Sequence, residues 1–431
     1  MTEQDFSTLN IKSLPGPDDI TRIQLKNGIT LLFRPNMNSM AVSIGGYIQA
    51  GSIYDTQDKL GLADFTTSTL MRGTKTQSFQ EIFDSLESIG ASLGIGCGPH
   101  TAGFGGKALA EDLPTLLKLL ADVLINPIFP KKDIERVRSQ LLTGLDLRAQ
   151  DTNSMAMLEF DKTLYKGHPY QYPSDGYIET IEAIQVKDMA AFHKKHFGPK
   201  EMTLVVVGPF EPESVISLAE EHLGGWLNEE QVGPLQVPDM ATPENSVENH
   251  HIIKEKSQTD LVVGTIGPSR RWEGYYSALL GNSVLGQFGM MGRIGESVRK
   301  KAGLAYYAYS ALSASIGPGQ WMVLAGVAPD NRDKALDLIK SEIKKFVGQP
   351  ISSEELRDVQ SNYIGKLPLS LESNAGVASA LLTMEQHKLG LDYLQNYEKM
   401  IQKITPESIL EAAREYLDPD RLIISSAGPE L

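Results

Sequence analysis

The sequence predicts an α+β protein made of two similar domains, and an internal repeat is the main observation behind this prediction. When residues 181–209 are placed over residues 401–429, the apolar positions coincide without a gap. Each copy reads as an amphipathic helix, a proline turn and an apolar strand that ends at Gly-Pro. A weaker similarity places residues 48–53 over residues 261–266. The repeat therefore indicates one helix–strand unit that occurs twice.

A polar, proline-containing segment at residues 228–250 has no clear hydrophobic period, and it predicts a linker. The predicted domains are then 1–227 and 251–431. Hydrophobic periods and turn residues predict some elements of each domain. In the first domain they predict a hairpin at 90–98 and 101–109 and helices at 116–124 and 134–147. In the second domain they predict a helix at 288–301 that ends before Gly303 and a strand at 304–310.

Charge and cysteine content exclude several classes of function. The 431 residues include 40 Lys and Arg against 54 Asp and Glu, a net charge of −14 that argues against nucleic acid or anionic lipid as a general partner. Basic peptides remain compatible with this charge. Cys97 is the single cysteine, which excludes an intrachain disulfide and favours a buried, inert thiol. With no long apolar run and no signal-like start, we expect a cytoplasmic protein, although a processed organellar chain would look the same.

The segment at residues 61–74 resembles the zinc-motif segment of pitrilysin-like metallopeptidases, which include the mitochondrial processing peptidase. In that family a helix carries the inverted motif His-x-x-Glu-His between a Gly-Leu-Ala and a Gly-Thr flank, and two histidines hold the zinc while the Glu is the base. Both flanks are present here, but the motif positions are Asp64, Thr67 and Ser68. The family's later Glu ligand falls on Gly144. We therefore expect no metal in this chain, and we expect Asp64 to be an exposed or first-turn carboxylate.

The resemblance extends along nearly the whole chain, with further family landmarks at residues 164–170, 285–286 and 298–306. It implies two homologous domains, each a mixed, mostly antiparallel sheet with helices packed on one side, which together form a clam-like half of a chamber. Within the pattern Val-Arg-x-x-x-Gly-Leu-x-Tyr, Arg299 and Tyr306 match a pair that binds the substrate backbone at the scissile bond in active members. The alternative is structural: Arg299 caps its helix and Tyr306 fills a core.

Two further sets of residues were considered as sites. The strand at Gly94 and Ile95 resembles the sheet edge that an extended substrate pairs with, although the family prefers Asn-Ala at these positions. His193 and His196 have a spacing of three, but the second copy of the repeat carries Ala413 and Tyr416 in their place. We expect these histidines to be surface residues rather than metal ligands.

The resemblance implies a subunit that is catalytically silent alone. Some family members are heterodimers in which one subunit brings the zinc and the other brings the Arg/Tyr pair, and this chain is similar to the second type. The expected partners are a zinc-bearing homologous subunit and an unfolded peptide substrate, with no nucleic acid and no membrane. Zinc is expected in the partner only, and the isolated chain could dimerise with itself. Two alternatives stay open: a non-catalytic scaffold such as the respiratory-complex core subunits, and a standalone peptide-binding protein.

Overall fold

A computed structural model describes residues 13–240 and 243–431. The first twelve residues of the predicted first domain and residues 241–242 of the predicted linker lie outside the described residues. The first half has the following strands and helices: β1 (Thr21–Gln24), β2 (Thr30–Pro35), β3 (Ala41–Ile48), α1 (Leu62–Thr69), α2 (Phe79–Ser88), β4 (Ser92–Cys97), β5 (Ala102–Leu109), α3 (Leu113–Ile125), α4 (Lys131–Ala149), α5 (Thr152–Leu164), α6 (Ile178–Ala183), α7 (Val186–His196), β6 (Thr203–Gly208) and α8 (Pro212–Leu223).

The second half repeats this plan. Its elements are β7 (Val247–Ile252), β8 (Thr259–Gly267), α9 (Tyr275–Gly286), α10 (Phe288–Ile294), β9 (Ala305–Ser313), β10 (Gly319–Val327), α11 (Arg332–Gly348), α12 (Ser353–Ser370), α13 (Asn374–His387), α14 (Tyr393–Gln402), α15 (Pro406–Tyr416) and β11 (Ile423–Gly428). The predicted hairpin is β4–β5, and the two predicted helices of the first half lie within α3 and α4. A π-helix, Gly295–Lys301, continues α10, so the second part of the helix predicted at 288–301 is wound more loosely than an α-helix.

The two sheets have the same topology. The strand order is β1-β2-β6-β3-β5-β4 in the first sheet and β7-β11-β8-β10-β9 in the second. Apart from the extra edge strand β1, each strand of the first sheet has a counterpart at the same place in the second sheet. The pairs β2/β6 and β7/β11 are parallel, and the other pairs are antiparallel. The predicted duplication of a mixed, mostly antiparallel sheet is therefore confirmed.

The register of the sheets corrects the weaker similarity found in the sequence. In the first sheet Tyr47 lies opposite Thr203, and in the second sheet Gly264 lies opposite Ile423. Since the residues 203 and 423 correspond through the shift of 220, Tyr47 is the counterpart of Gly264. The placement of residues 48–53 over 261–266 is therefore wrong by four positions. Both segments are apolar around a glycine, so they look alike in sequence. The correct alignment of the two strands is fixed only by their pairing with neighbouring strands.

Each sheet has one face covered by helices of its own half and the other face covered by a helix from the opposite half. Helix α5 of the first half packs on β7, β8 and β11, and its buried side chains there are Met155, Ala156, Phe160 and Leu164. Helix α13 of the second half packs on β3 and β6, and its buried side chains are Val377, Ala378, Leu381 and Met384. The two halves thus exchange helices, a feature that the predicted one-sided packing did not include.

The exchange explains why the central strands β6, β8 and β11 are buried at every position. In β6, Leu204 and Val206 belong to the core made with helices of the first half, whereas Val205 and Val207 face α13. All residues of β6 and β11 are buried. A strand with both faces buried carries a continuous apolar run instead of an alternating one.

The segment between the halves is held against the protein. The Gln231 side chain accepts a hydrogen bond from the amide of Lys200 and donates one to its carbonyl, both at 3.0 Å. Further along, the Leu235 amide donates to the Tyr54 hydroxyl. The predicted linker 228–250 also ends in a strand, because β7 begins at Val247. None of the helices in the described residues is long and apolar enough to span a membrane.

The exchanged helices predict that each half depends on the other for stability. Leu381 and Phe160 are fully buried, one on each sheet, so Leu381→Ala should cost about 2–5 kcal/mol and Phe160→Ala about 3–5 kcal/mol of unfolding free energy in urea titrations. Leu369→Ala is the matched control, because Leu369 is 70% exposed and its loss should change stability by less than about 0.5 kcal/mol. Equal effects of all three substitutions would contradict the exchanged packing.

Candidate functional site

Helix α1 lies where the zinc-motif helix was predicted, and a buried carboxylate fixes its start. The Asp55 side chain accepts hydrogen bonds from the amides of Gly61 and Ala63, each at 2.9 Å, and so satisfies amides at the N-terminus of the helix. Gly61 has a φ of +89°, and a Cβ there would lie 2.7 Å from the Ile181 side chain. The glycine of the Gly-Leu-Ala flank is therefore required by the backbone geometry at the entry to this helix.

The residues at the motif positions do not fit zinc. The Thr67 hydroxyl is buried and donates to the Ala63 carbonyl at 2.7 Å, one turn back in the helix. Ser68 is exposed, and Gly144, exposed on α4, has no side chain. This leaves Asp64 as the one strong donor, whereas protein zinc sites use three or four nitrogen, sulfur or carboxylate ligands. Within residues 13–240 and 243–431, no group of three or more His, Cys, Asp or Glu side chains is placed to hold a metal ion.

Asp64 lies in the first turn of α1, as predicted, but it is half-buried rather than exposed. Burial raises its pKa to about 6, and the nearby charge of Asp175 adds to the shift. Burial likewise raises the pKa of Asp55 to about 7, against the effect of its two amide hydrogen bonds. The pKa of the Cys97 thiol is also raised, by burial and then by these two carboxylates, so the thiol is unreactive at neutral pH. The start of helix α1 is thus a poorly solvated acidic site.

Strand β4, which carries Gly94 and Ile95, is an edge strand of the first sheet. Ile95 packs partly on the core, whereas Gly94 is exposed and a Cβ there would have nothing within 4 Å. The outer backbone groups of an edge strand are free to pair with another chain. The geometry is thus compatible with the predicted pairing of an extended peptide, for which Asn-Ala is not required.

Arg299 lies on the π-helix that follows α10, and its side chain is exposed. The helix ends as predicted: Gly303 has a φ of +65°, and the Leu304 amide donates to the Val298 carbonyl at 3.1 Å. Within the described residues, the guanidinium has no hydrogen-bond or ion-pair partner, so the alternative in which Arg299 caps its helix is not what the structure has. π-helical turns are rare and occur frequently at functional sites.

Tyr306 is the extra residue of a β-bulge at the start of edge strand β9. Val327 of β10 lies opposite Ala305, and the next residue, Gly326, lies opposite Tyr307, which leaves Tyr306 unpaired. Its side chain is 64% exposed, so it does not fill a core. Bulges re-aim side chains and are common beside active sites. The π-helix packs against β9, which brings Arg299 and Tyr306 to the same junction.

A buried polar network supports this bulge from beneath. Asp260 on β8 accepts hydrogen bonds from the side chains of Tyr307, Gln258 and Thr152. The Tyr307 hydroxyl also accepts from the Asn153 amide at 2.7 Å. Thr152 and Asn153 begin α5, so the exchanged helix of the first half fixes the strand that carries Tyr306. The spacing of residues in the sequence gave no signal for this network.

The two histidines expected on the surface are partly or fully buried instead. The half-buried His193 forms a hydrogen bond with the Leu124 carbonyl at 2.8 Å and stacks on Phe197. His196 is 5% exposed between Phe192 and Tyr54, and burial lowers its pKa to about 4. The prediction of surface positions is therefore wrong for His196 and only partly right for His193, because both rings pack against aromatic side chains.

The raised pKa of Asp64 predicts a pH-dependent effect of Asp64→Asn. The native state holds this proton more tightly than the unfolded chain, so the wild type loses stability as the pH rises from about 4 to about 6. A shift of about two units corresponds to roughly 2–3 kcal/mol. We expect Asp64→Asn to be more stable than the wild type by this amount at pH 8, and by little at pH 4, in urea titrations.

Ser68→Ala is the control, because Ser68 is exposed on the same helix and does not ionise. Its effect should be equal at the two pH values. If the difference in unfolding free energy between Asp64→Asn and the wild type does not change with pH, Asp64 is not held in the poorly solvated environment described above.

Comparisons with known proteins agree with this geometry. Residues 31–174 match the family model described as "Insulinase (Peptidase family M16)", and residues 183–363 match the one described as "Peptidase M16 inactive domain". A Rickettsia bellii protein described as an "uncharacterized zinc protease" is 25% identical over 90% of this chain and 90% of its own length.

Two solved structures have the same fold. The "peptidase M16 inactive domain" from Pseudomonas fluorescens is 26% identical, with a TM-score of 0.89 over 96% of this chain and 98% of that chain. A protease from Helicobacter pylori is 18% identical, with a TM-score of 0.90 over 96% of this chain and 100% of that chain. The resemblance and the fold class predicted from the sequence are confirmed, and the chain belongs to peptidase family M16.

Proposed function

We propose that this chain is the catalytically silent subunit of a heterodimeric zinc peptidase that processes or degrades unfolded peptides. A homologous subunit would supply the zinc and the general base. This chain would supply Arg299 and Tyr306, which bind the substrate backbone at the partner's zinc. Alone, it would neither bind zinc nor cleave peptides.

One contrast between two positions carries the proposal. Helix α1 keeps the placement of a zinc-motif helix, but its side chains are a half-buried Asp64, an internally bonded Thr67 and an exposed Ser68. At the other position, Arg299 and Tyr306 are exposed and make no side-chain hydrogen bonds within the described residues. Because neither side chain uses its donors within the described part of this chain, their exposure favours a role toward another molecule.

The chemistry of the pair suits peptide hydrolysis. A guanidinium and a phenol both donate hydrogen bonds, so they would bind the carbonyl oxygen of a peptide and the oxyanion that develops on it. The acidic net charge of this chain favours basic peptides, and the open edge at Gly94 would pair with an extended one. The description of the Rickettsia relative as a zinc protease supports peptide cleavage as the shared reaction.

Reconstitution tests the proposal. The chain would be mixed with a homologue from the same genome that carries His-x-x-Glu-His, and cleavage of an extended basic peptide would be followed. We expect activity only in the mixture. Arg299→Ala and Tyr306→Phe should each lower kcat/KM by about tenfold to a thousandfold, the range expected for loss of a transition-state donor.

Lys300→Ala is the matched control, because Lys300 is an exposed cation next to Arg299 and pairs with Glu296 at 3.0 Å within its own helix. It should leave kcat/KM unchanged. Gel filtration should show that all three variants still bind the partner. If the complex forms but no peptide is cleaved, or if the Arg299→Ala, Tyr306→Phe double variant cleaves at the wild-type rate, the proposed role is wrong and a scaffold function is favoured.

Metal content gives a second test. After equilibration with excess zinc and dialysis, the isolated chain should retain far less than one zinc per molecule, because the motif positions offer one carboxylate. The zinc-motif partner, treated in the same way, should retain about one. Stoichiometric zinc in the isolated chain, measured by atomic emission, would contradict the proposal.

A further inference from the structure

A cavity of about 220 Å³ lies between the two halves, and Ser52 and Ile53, which precede α1, are among its lining residues. It is bounded by the end of α5, by the segment 169–174 that follows, by the tip of the β4–β5 hairpin at Pro99, and by the β9–β10 connection at 313–320. None of the degenerate motif residues, nor Arg299 or Tyr306, lines it. Its walls come from both halves, so its shape depends on their mutual packing.

Asp161 is the only ionisable carboxyl group among the lining residues, and no Lys, Arg or His lines the cavity. Within the described residues its carboxylate accepts one hydrogen bond, from the Gln320 side chain of the opposite half. A buried carboxylate normally has a cation or several donors around it. Asp161 therefore faces the cavity with most of its hydrogen-bonding capacity unused.

Tyrosine rings form much of the remaining wall. The Tyr165 hydroxyl donates to the carbonyls of Pro318 and Gly319, and the Tyr170 hydroxyl is bonded to His100. These contacts fix the two rings, which meet edge to face at 5.4 Å. Tyr172 adds a third ring and, within the described residues, makes no side-chain hydrogen bond. Fixed aromatic faces near a carboxylate are the usual surroundings of a bound ammonium group.

The electrostatics of Asp161 suit a cationic ligand. Burial raises its pKa to about 7, against the effect of the Gln320 hydrogen bond. At neutral pH the group is thus close to half-protonated, and a positive ligand would shift it to the charged form.

We propose that this cavity binds a primary ammonium group, with the Asp161 carboxylate as its counter-ion and the faces of Tyr165, Tyr170 and Tyr172 around its alkyl chain. Size supports the ligand class: at roughly 30 Å³ for each water-sized group, the cavity has room for a butylammonium ion of five heavy atoms. The inference does not depend on the proposed peptidase role, because the isolated chain contains every residue involved.

Calorimetric titration of the isolated chain with n-butylammonium chloride at pH 8 tests the proposal. Binding is expected, and n-butanol, which has the same shape but no charge, should bind at least tenfold more weakly. Asp161→Asn should also weaken butylammonium binding at least tenfold. Asp146→Asn, at an exposed carboxylate on α4, is the matched control and should bind like the wild type.

Two additional readouts do not depend on how well Asp161→Asn folds. Tyr172→Leu removes one ring and should weaken butylammonium binding severalfold. In the wild type, affinity should rise about tenfold from pH 6 to pH 8, because the ionised fraction of a group with a pKa of about 7 rises from roughly 0.1 to 0.9. Equal binding of butanol and butylammonium, or affinity that does not change with pH, would overturn the proposal.

A peptide arm identifies the source of the ammonium group. Acetyl-Ala-Lys-Ala-amide would be titrated against its norleucine counterpart. If the lysine peptide binds and loses affinity in Asp161→Asn, the cavity takes a peptide side chain. If butylammonium binds in this way and the lysine peptide does not bind, the cavity takes a small free amine. Absence of binding by both the peptide and butylammonium would overturn the proposal.

Discussion

The exchange of helices α5 and α13 between the two halves is the constraint on which the rest of the structure depends. Each sheet has central strands that are buried on both faces, and each half on its own leaves one of those faces uncovered. Helix α5 covers the second sheet and α13 covers the first, so neither half completes its own core. At about 25 cal/mol for each Å² of apolar surface, an uncovered face of this kind would be strongly destabilising. The duplicated halves are therefore one cooperative unit.

The same exchange connects the fold to the proposed site. Thr152 and Asn153 begin α5, and both bond to the network of Asp260 and Tyr307 beneath the bulge. The position of Tyr306 therefore depends on a helix from the other half. The cavity at Asp161 lies at the opposite end of α5 and is likewise lined by both halves. Asp64, Thr67 and Ser68, at the positions of the zinc motif, make no hydrogen bond to this network within the described residues.

Much of the fold could be predicted from the sequence, because the relevant signals are local. The hydrophobic period of the sequence predicts the alignment of the repeat and the β4–β5 hairpin. The backbone preference of glycine predicts the end of the helix before β9. The exchange of helices could not be derived from the hydrophobic period of short segments. The apolar run Leu204-Val-Val-Val does, however, indicate that both faces of this strand are buried. The bulge at Tyr306 and the burial of His193 and His196 depend on strand pairing and packing between distant residues. Arg299 and Tyr306 were found only because the family pattern spans the helix, the turn and the strand.

A structure of this chain with its zinc-bearing partner and a bound peptide tests the central claim most directly. The partner's catalytic Glu would be replaced by Gln so that the peptide stays intact. The account predicts that the Arg299 guanidinium and the Tyr306 hydroxyl each lie within about 3.5 Å of a backbone oxygen at the bond nearest the partner's zinc. A complex in which both side chains point to solvent, or in which the peptide binds elsewhere, would contradict it.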